Sequence, residues 1–177
     1  MKINDPKKLN LTSNSTVRVI AVWRYIQKNK SVYTQEIMNE FFIDRMRARF
    51  ILETLEIMGR LYSTKEDITP KRPSLKKRKV YHLSQSQRHW TDYDLKTINS
   101  PMRALLMIDI IKERQKVTVK ELAIALAVKS LSPIQTQLAI LIHLNVIKKE
   151  AIDSTKDVHK MTKYQYSLTD ESKEVFK

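Results

Sequence analysis

The chain has 177 residues, with 33 Lys and Arg against 19 Asp and Glu, for a formal charge of +14. That excess points to polyanionic partners, either nucleic acid or an anionic surface. It has no cysteine, which excludes a disulfide framework and thiolate metal sites, and its single glycine excludes the Gly-rich phosphate loops. No apolar run approaches the ~18 residues that span a bilayer, and no signal-peptide hydrophobic region follows Met1 to Pro6.

Residues 1–15 read as a polar tail. Thr16 to Asn29 carries Val17, Ile20, Ala21, Trp23, Tyr25 and Ile26 near helical spacing, with Ser15 or Thr16 as its cap. Ser31 to Tyr33 is short and β-prone. Thr34 is expected to cap a second helix that buries Ile37, Met38, Phe41 and Phe42. Asp44 caps a third, with Ala48, Ile51, Leu52, Leu55 and Met58 inward and Gly59 as its left-handed stop. Arg60 to Thr64 and Lys79 to Leu83 alternate as two strands. Ser84 to Asn99 connects the two halves, with residues 91–99 as the linker proper, and Trp90, Tyr93, Leu95 and Ile98 are spaced for a short helix.

A second run of the same elements follows. Ser100-Pro101 opens a helix with Leu105, Leu106, Ile108, Ile110 and Ile111 on its apolar side. Val117 to Val119 is a short strand, and Glu121 to Val128 a second helix. Ser132-Pro133 starts a third, with Ile134, Leu138, Leu141 and Leu144 inward. Val146 to Ala151 and Thr162 to Leu168 form a hairpin with its tip at Asp153 to Met161, and Ser172 to Phe176 a last short helix. Tyr33 to Ile37 aligns with Thr118 to Leu122 at an offset of 85, and Leu83 to Arg88 with Leu168 to Lys173. Between them Leu52, Leu55, Met58 and Gly59 meet Leu138, Leu141, Leu144 and Asn145 at 86, as one inserted loop residue would produce.

Helix, short strand, helix, helix and hairpin is the winged-helix order. The expected class is therefore mainly α, of the α+β winged-helix kind, with two tandem winged helix-turn-helix domains at residues 16–90 and 100–177. Leu141 to Val146 and Leu55 to Arg60, with Tyr166 to Glu171 closing the second hairpin, resemble the DNA-binding module of MarR-like regulators. In that module a third helix ends in L-x-x-x-G-h and a wing strand in L-T-x-x-G. Asn145 and Ser172 replace the two glycines here, and the family's long flanking dimerisation helices are absent. The resemblance implies duplex DNA as partner and a third helix that reads it.

A helix fits the major groove and presents its first turns to base edges. Arg45, Arg47 and Arg49 occupy that position in the first unit, and arginine can donate two bonds to guanine. Gln135, Thr136 and Gln137 occupy it in the second. Lys71, Arg72, Lys76, Lys77, Arg78 and Lys79 form a basic wing suited to phosphates, and Lys156, Lys160 and Lys163 a weaker one. Residues 1–97 hold 20 cations and 10 anions (20 − 10 = +10), and residues 98–177 hold 13 and 9 (13 − 9 = +4), so the first unit leads.

The sequence thus reads as a non-enzymatic, sequence-specific double-stranded DNA-binding protein of the cytoplasm or nucleoid. The favoured role is a transcription regulator of a phage, plasmid or other mobile element. A replication initiator with two winged helices and a tandem winged-helix protein adaptor are the alternatives. No cofactor is expected, and the scattered His82, His89, His143 and His159 lack metal-ligand spacing. Homodimerisation would restore a palindromic target, and the less basic second unit is the one open to a protein partner.

Overall fold

The computed structural model describes residues 14–67, 77–84, 90–152 and 163–176. It is an α+β structure that divides into two compact units, the second beginning at Trp90. The first contains α1 (Ser15–Asn29), β1 (Ser31–Tyr33), α2 (Thr34–Phe41), α3 (Arg45–Ile57), β2 (Leu61–Asp67) and β3 (Lys77–Leu83). The second contains α4 (Asp92–Thr97), α5 (Ser100–Arg114), β4 (Val117–Thr118), α6 (Val119–Ala125), α7 (Ser132–His143), β5 (Ile147–Ala151), β6 (Tyr164–Leu168) and α8 (Asp170–Val175). The segment expected as a linker is thus helical at its centre and groups with the second unit.

Each unit has one antiparallel three-stranded sheet, ordered β1-β3-β2 in the first and β4-β6-β5 in the second. The registers correspond: Val32 faces Tyr81 as Val117 faces Tyr166, and Leu61 faces Leu83 as Ile147 faces Leu168. The backbone irregularities correspond as well. Six described residues have positive φ: Lys30, Phe42, Gly59, Gln115, Ala127 and Asn145. They form three pairs, Lys30 with Gln115 and Phe42 with Ala127 at an offset of 85, and Gly59 with Asn145 at 86. The inserted residue therefore lies between Ala127 and α7. A left-handed backbone costs a non-glycine residue roughly 1–2 kcal/mol, so its recurrence at matching places means that the surrounding packing imposes it.

The core of the first unit joins Val19, Ile20, Trp23 and Ile26 of α1 to Ile37 of α2, to Ile51, Leu52 and Leu55 of α3, and to Val80 and Tyr81 of β3. In the second, Leu105, Met107, Ile108 and Ile111 of α5 meet Leu122 of α6, Leu138 and Leu141 of α7, and Tyr166 of β6. Burial of each such side chain contributes roughly 1.5–3 kcal/mol. The expected inward faces of the two third helices are all buried.

Other expectations shift by a residue or a face. The buried side of α1 runs through Val19 and Val22, while Tyr25 is half-buried with its ring edge-on to Phe41 at 5.6 Å. Its cap is Asn14, whose Oδ1 accepts from Thr16 N at 2.9 Å, and Thr16 itself is buried. Tyr33, not Thr34, precedes α2, and its N–H donates to Glu36 Oε2 at 2.6 Å. Phe42, expected inside, is 52% exposed, because the helix stops at Phe41 and the left-handed φ of 51° swings the next side chain outward. In α5, Ala104 and Met107 join the core and Ile110 is half-buried. The second helix of the second unit starts earlier than expected because Thr118 and Glu121 form a reciprocal capping box. Among the described residues no helix is long and apolar enough to cross a membrane.

The turn after α3 can be tested directly. Gly59→Ala should lower the stability of the first unit by about 1–2 kcal/mol, since φ is 71° there. Urea unfolding followed by Trp23 fluorescence, in a Trp90→Phe background, isolates that unit. An unchanged midpoint would refute the left-handed turn.

Candidate nucleic-acid interface

Helix α3 puts Ala48, Ile51, Leu52 and Leu55 into the core, so the opposite side must face solvent. Arg45, Arg47 and Arg49 are all exposed there, as the sequence predicts. Asp44 holds the start of the helix: its Oδ1 accepts from Arg47 N at 2.8 Å, and its Oδ2 lies 3.3 Å from Arg47 Nε. One turn on, Arg49 Nη2 lies 3.3 Å from Glu53 Oε1. Two of the three guanidiniums thus have carboxylate partners, Arg47 at the helix cap and Arg49 within the helix, in exposed pairs of the weak surface kind.

The charge order along α3 runs against its dipole. The three arginines sit in its N-terminal half, Glu53 and Glu56 in its C-terminal half, with no acid in the first turn and no base in the last. A helix macrodipole favours the reverse by roughly 0.3–1 kcal/mol per charge. Arg45 and Arg47, in the first turn, carry that cost, and Asp44 at the cap offsets part of it.

The same face carries an apolar stripe that periodicity of the buried side did not reveal. Met46 is 83% exposed, Phe50 47% and Ile57 54%. Spacings of four and seven residues place them on one line along the helix. The signal was present in the sequence as three large apolar residues left over once the inward heptad-like set is removed.

The hairpin beside α3 is more self-engaged than expected. Lys79 Nζ donates to Glu56 Oε2 at 2.8 Å and lies 4.8 Å from the Tyr81 ring centre. Ser63 Oγ donates to the other oxygen of Glu56 at 2.5 Å. Partial burial alone would raise the Glu56 pKa, but the bonds from Lys79 and Ser63 outweigh it and lower the value. Arg78 is exposed and lies over the Tyr33 ring at 3.7 Å, its charge still open to an anion. Lys71, Arg72 and Lys76 lie outside the described residues, and Lys77 is described only as the first residue of β3.

In the second unit, Gln135 and Thr136 are exposed at the start of α7, though the Thr136 hydroxyl donates to Ser132 O at 3.0 Å. Gln137 is a correction: it is only 4% exposed. It stands 86 residues after Ile51 and takes that residue's inward place, so it cannot reach a ligand without unfolding the helix face. Lys163 is exposed just before β6, and Lys156 and Lys160 lie outside the described residues. Among the described residues there is no metal-binding cluster of His, Cys, Asp and Glu. No protein-family model matches the sequence, and no curated protein is found to match it.

The Glu56 cluster makes a pH prediction. Its folded pKa is depressed, so the stability it contributes is present above the unfolded carboxylate pKa and is lost as pH falls through the folded value. Glu56→Gln should cost at most about 1 kcal/mol at pH 7. The gap to wild type should close in acid. Urea midpoints compared at neutral and acidic pH check this, and a gap that persists in acid would refute the assignment.

Proposed function

We propose that the chain is a sequence-specific double-stranded DNA-binding protein made of two tandem winged helix-turn-helix units. In this reading α2 and α3 form the helix-turn-helix of the first unit, with β2 and β3 its wing. Helices α6 and α7 with strands β5 and β6 play the same parts in the second. The observation that carries the reading is the set of exposed arginines at the N-terminal half of α3, opposed to the helix dipole, in a chain of net charge +14.

Arg45, with no ion-pair partner among the described residues, and Arg49, one turn further, would face guanine edges. Met46 and Phe50 between them suit thymine methyl groups, an apolar contact the major groove offers. Arg47 is held by Asp44 at the helix start, where a phosphate oxygen could replace the carboxylate. Arg78 at the hairpin would follow the adjacent backbone. The second unit contributes Gln135 and Lys163, fewer charges and a weaker hold. Two unlike readers on one chain call for an asymmetric target. A small transcription regulator of a mobile element is the role this arrangement fits best.

Selection of duplexes from a random pool at physiological salt, with the full chain, tests the reading. An asymmetric motif should be enriched, and binding should weaken steeply with salt, by about 0.9 in log slope per phosphate engaged. Arg45→Ala and Arg49→Ala should each cost about 1–3 kcal/mol on the selected site and less on random duplex. Enrichment of nothing would overturn the proposal.

A further inference from the structure

In the second unit, the start of α6, helix α7 and the face of β5 and β6 enclose a groove of about 670 Å³. Leu138 and Tyr166, both buried, form its floor, and Leu131, Ile142 and Tyr164 stand partly exposed along its walls. Lys120, Lys149 and Lys163 lie on its rim, all exposed, and no carboxylate lines it among the described residues. Lys149 Nζ rests 3.5 Å from the Tyr164 ring centre.

The first unit supplies an internal control. Ile142 stands 86 residues after Glu56, and Tyr164 85 after Lys79. Where the first unit closes this place with the Glu56–Lys79 ion pair, the second has an isoleucine and a tyrosine. Likewise Leu131 and Ala139 stand 86 residues after Arg45 and Glu53. One backbone plan accepts charged residues at all four places, so the fold does not require apolar ones there. Apolar walls left in contact with water carry a hydration cost that covering them would remove.

We propose that this groove docks an amphipathic helix of a partner protein, apolar on its entering face and carrying carboxylates along its flanks. The three exposed lysines of the rim select the acidic flanks by charge complementarity. A side-chain-lined groove suits a helix laid in it. Strand addition would use a strand edge, whereas this groove is lined by side chains of α7 and of the sheet. The volume falls in the range of about 300–1,000 Å³ typical of ligand sites, enough for a few large apolar side chains. A second copy of this chain is a poor occupant. Its exposed apolar stripe at Met46, Phe50 and Ile57 is interleaved with Arg45, Arg47 and Arg49, which the lysine rim repels. A duplex offers only separate thymine methyl groups, too few to cover the walls of the groove. Gln135 and Lys163, given to duplex DNA above, also line this groove, so a docked helix and a duplex would compete there; the inference itself stands on the apolar walls and the lysine rim.

The probe is a labelled synthetic helix with Leu and Phe on one face and Glu on its flanks, titrated by anisotropy against the full chain. A scrambled peptide of the same composition and a Lys-for-Glu version are the controls. The amphipathic acidic peptide should bind at least about tenfold more tightly than either. Ile142→Glu combined with Tyr164→Lys should remove that preference while thermal melting is retained, because the first unit already holds that pair at the same place. Ala139→Glu, on the exposed wall, should do the same. Equal binding of the scrambled peptide, or a preference that survives both variants, would overturn the proposal. So would variants that weaken duplex binding in the absence of any peptide preference, which would make the groove part of a DNA face.

Discussion

Each unit depends on a reversal of backbone hand at the end of its third helix. At Gly59 and Asn145 the chain leaves the helix with φ of 71° and 53°. The next N–H bonds back to the helix, from Arg60 to Leu55 O at 3.0 Å and from Val146 to Leu141 O at 2.9 Å. That Schellman closure satisfies carbonyls the helix would otherwise leave open. It also turns the chain straight into β2 or β5, so that Leu61 and Ile147 enter the core beneath the helix that precedes them. A right-handed continuation would carry both residues into solvent and leave β3 and β6 without their long-paired neighbours. The direction in which each third helix projects its outer face follows from this turn.

Once that frame is set, the two units spend their outer faces differently. On α3 the charges run Arg45, Arg47, Arg49 and then Glu53, Glu56, and the last is tied to the sheet through Lys79 and Ser63. On α7 no charged residue occurs between Ser132 and Ile142, and the flank next to the sheet is apolar. The cores meanwhile match closely: Tyr81 and Tyr166 hold the same register, and Leu52 and Leu138 the same inward place. Packing constrains interior volume to about one methylene, while a solvent-facing position costs little to change. Two units of one backbone plan can therefore differ on their outer faces without a loss of fold.

Gln137 shows where reading from pattern fails. Its neighbours Gln135 and Thr136 face solvent, and a polar residue at the start of a helix is an ordinary surface candidate. The helical repeat puts it one turn after Ile134 and one before Leu141, on the inward side. Phe42 is the converse: large and apolar, adjacent to buried Phe41, yet turned out by a left-handed residue. Both cases arise at the turn between the second and third helices or just after it, where a one-residue change in phase moves a side chain to the other face.

The order of elements, the spacing of the repeat, the caps at Asp44 and Gly59 and the inward sets of both third helices were legible in the sequence alone. Each depends on local periodicity or on one residue's backbone preference, and these act over a few positions. The tertiary structure decided which cations stay open and which are spent. Lys79 looks like any other member of a basic run until the hairpin brings it to Glu56, 23 residues earlier in the chain. The groove under Ile142 and Tyr164 likewise exists only because α7 and β6 meet there. Ion pairs and cavities are set by distances between residues far apart in sequence, and a one-dimensional pattern does not encode those distances.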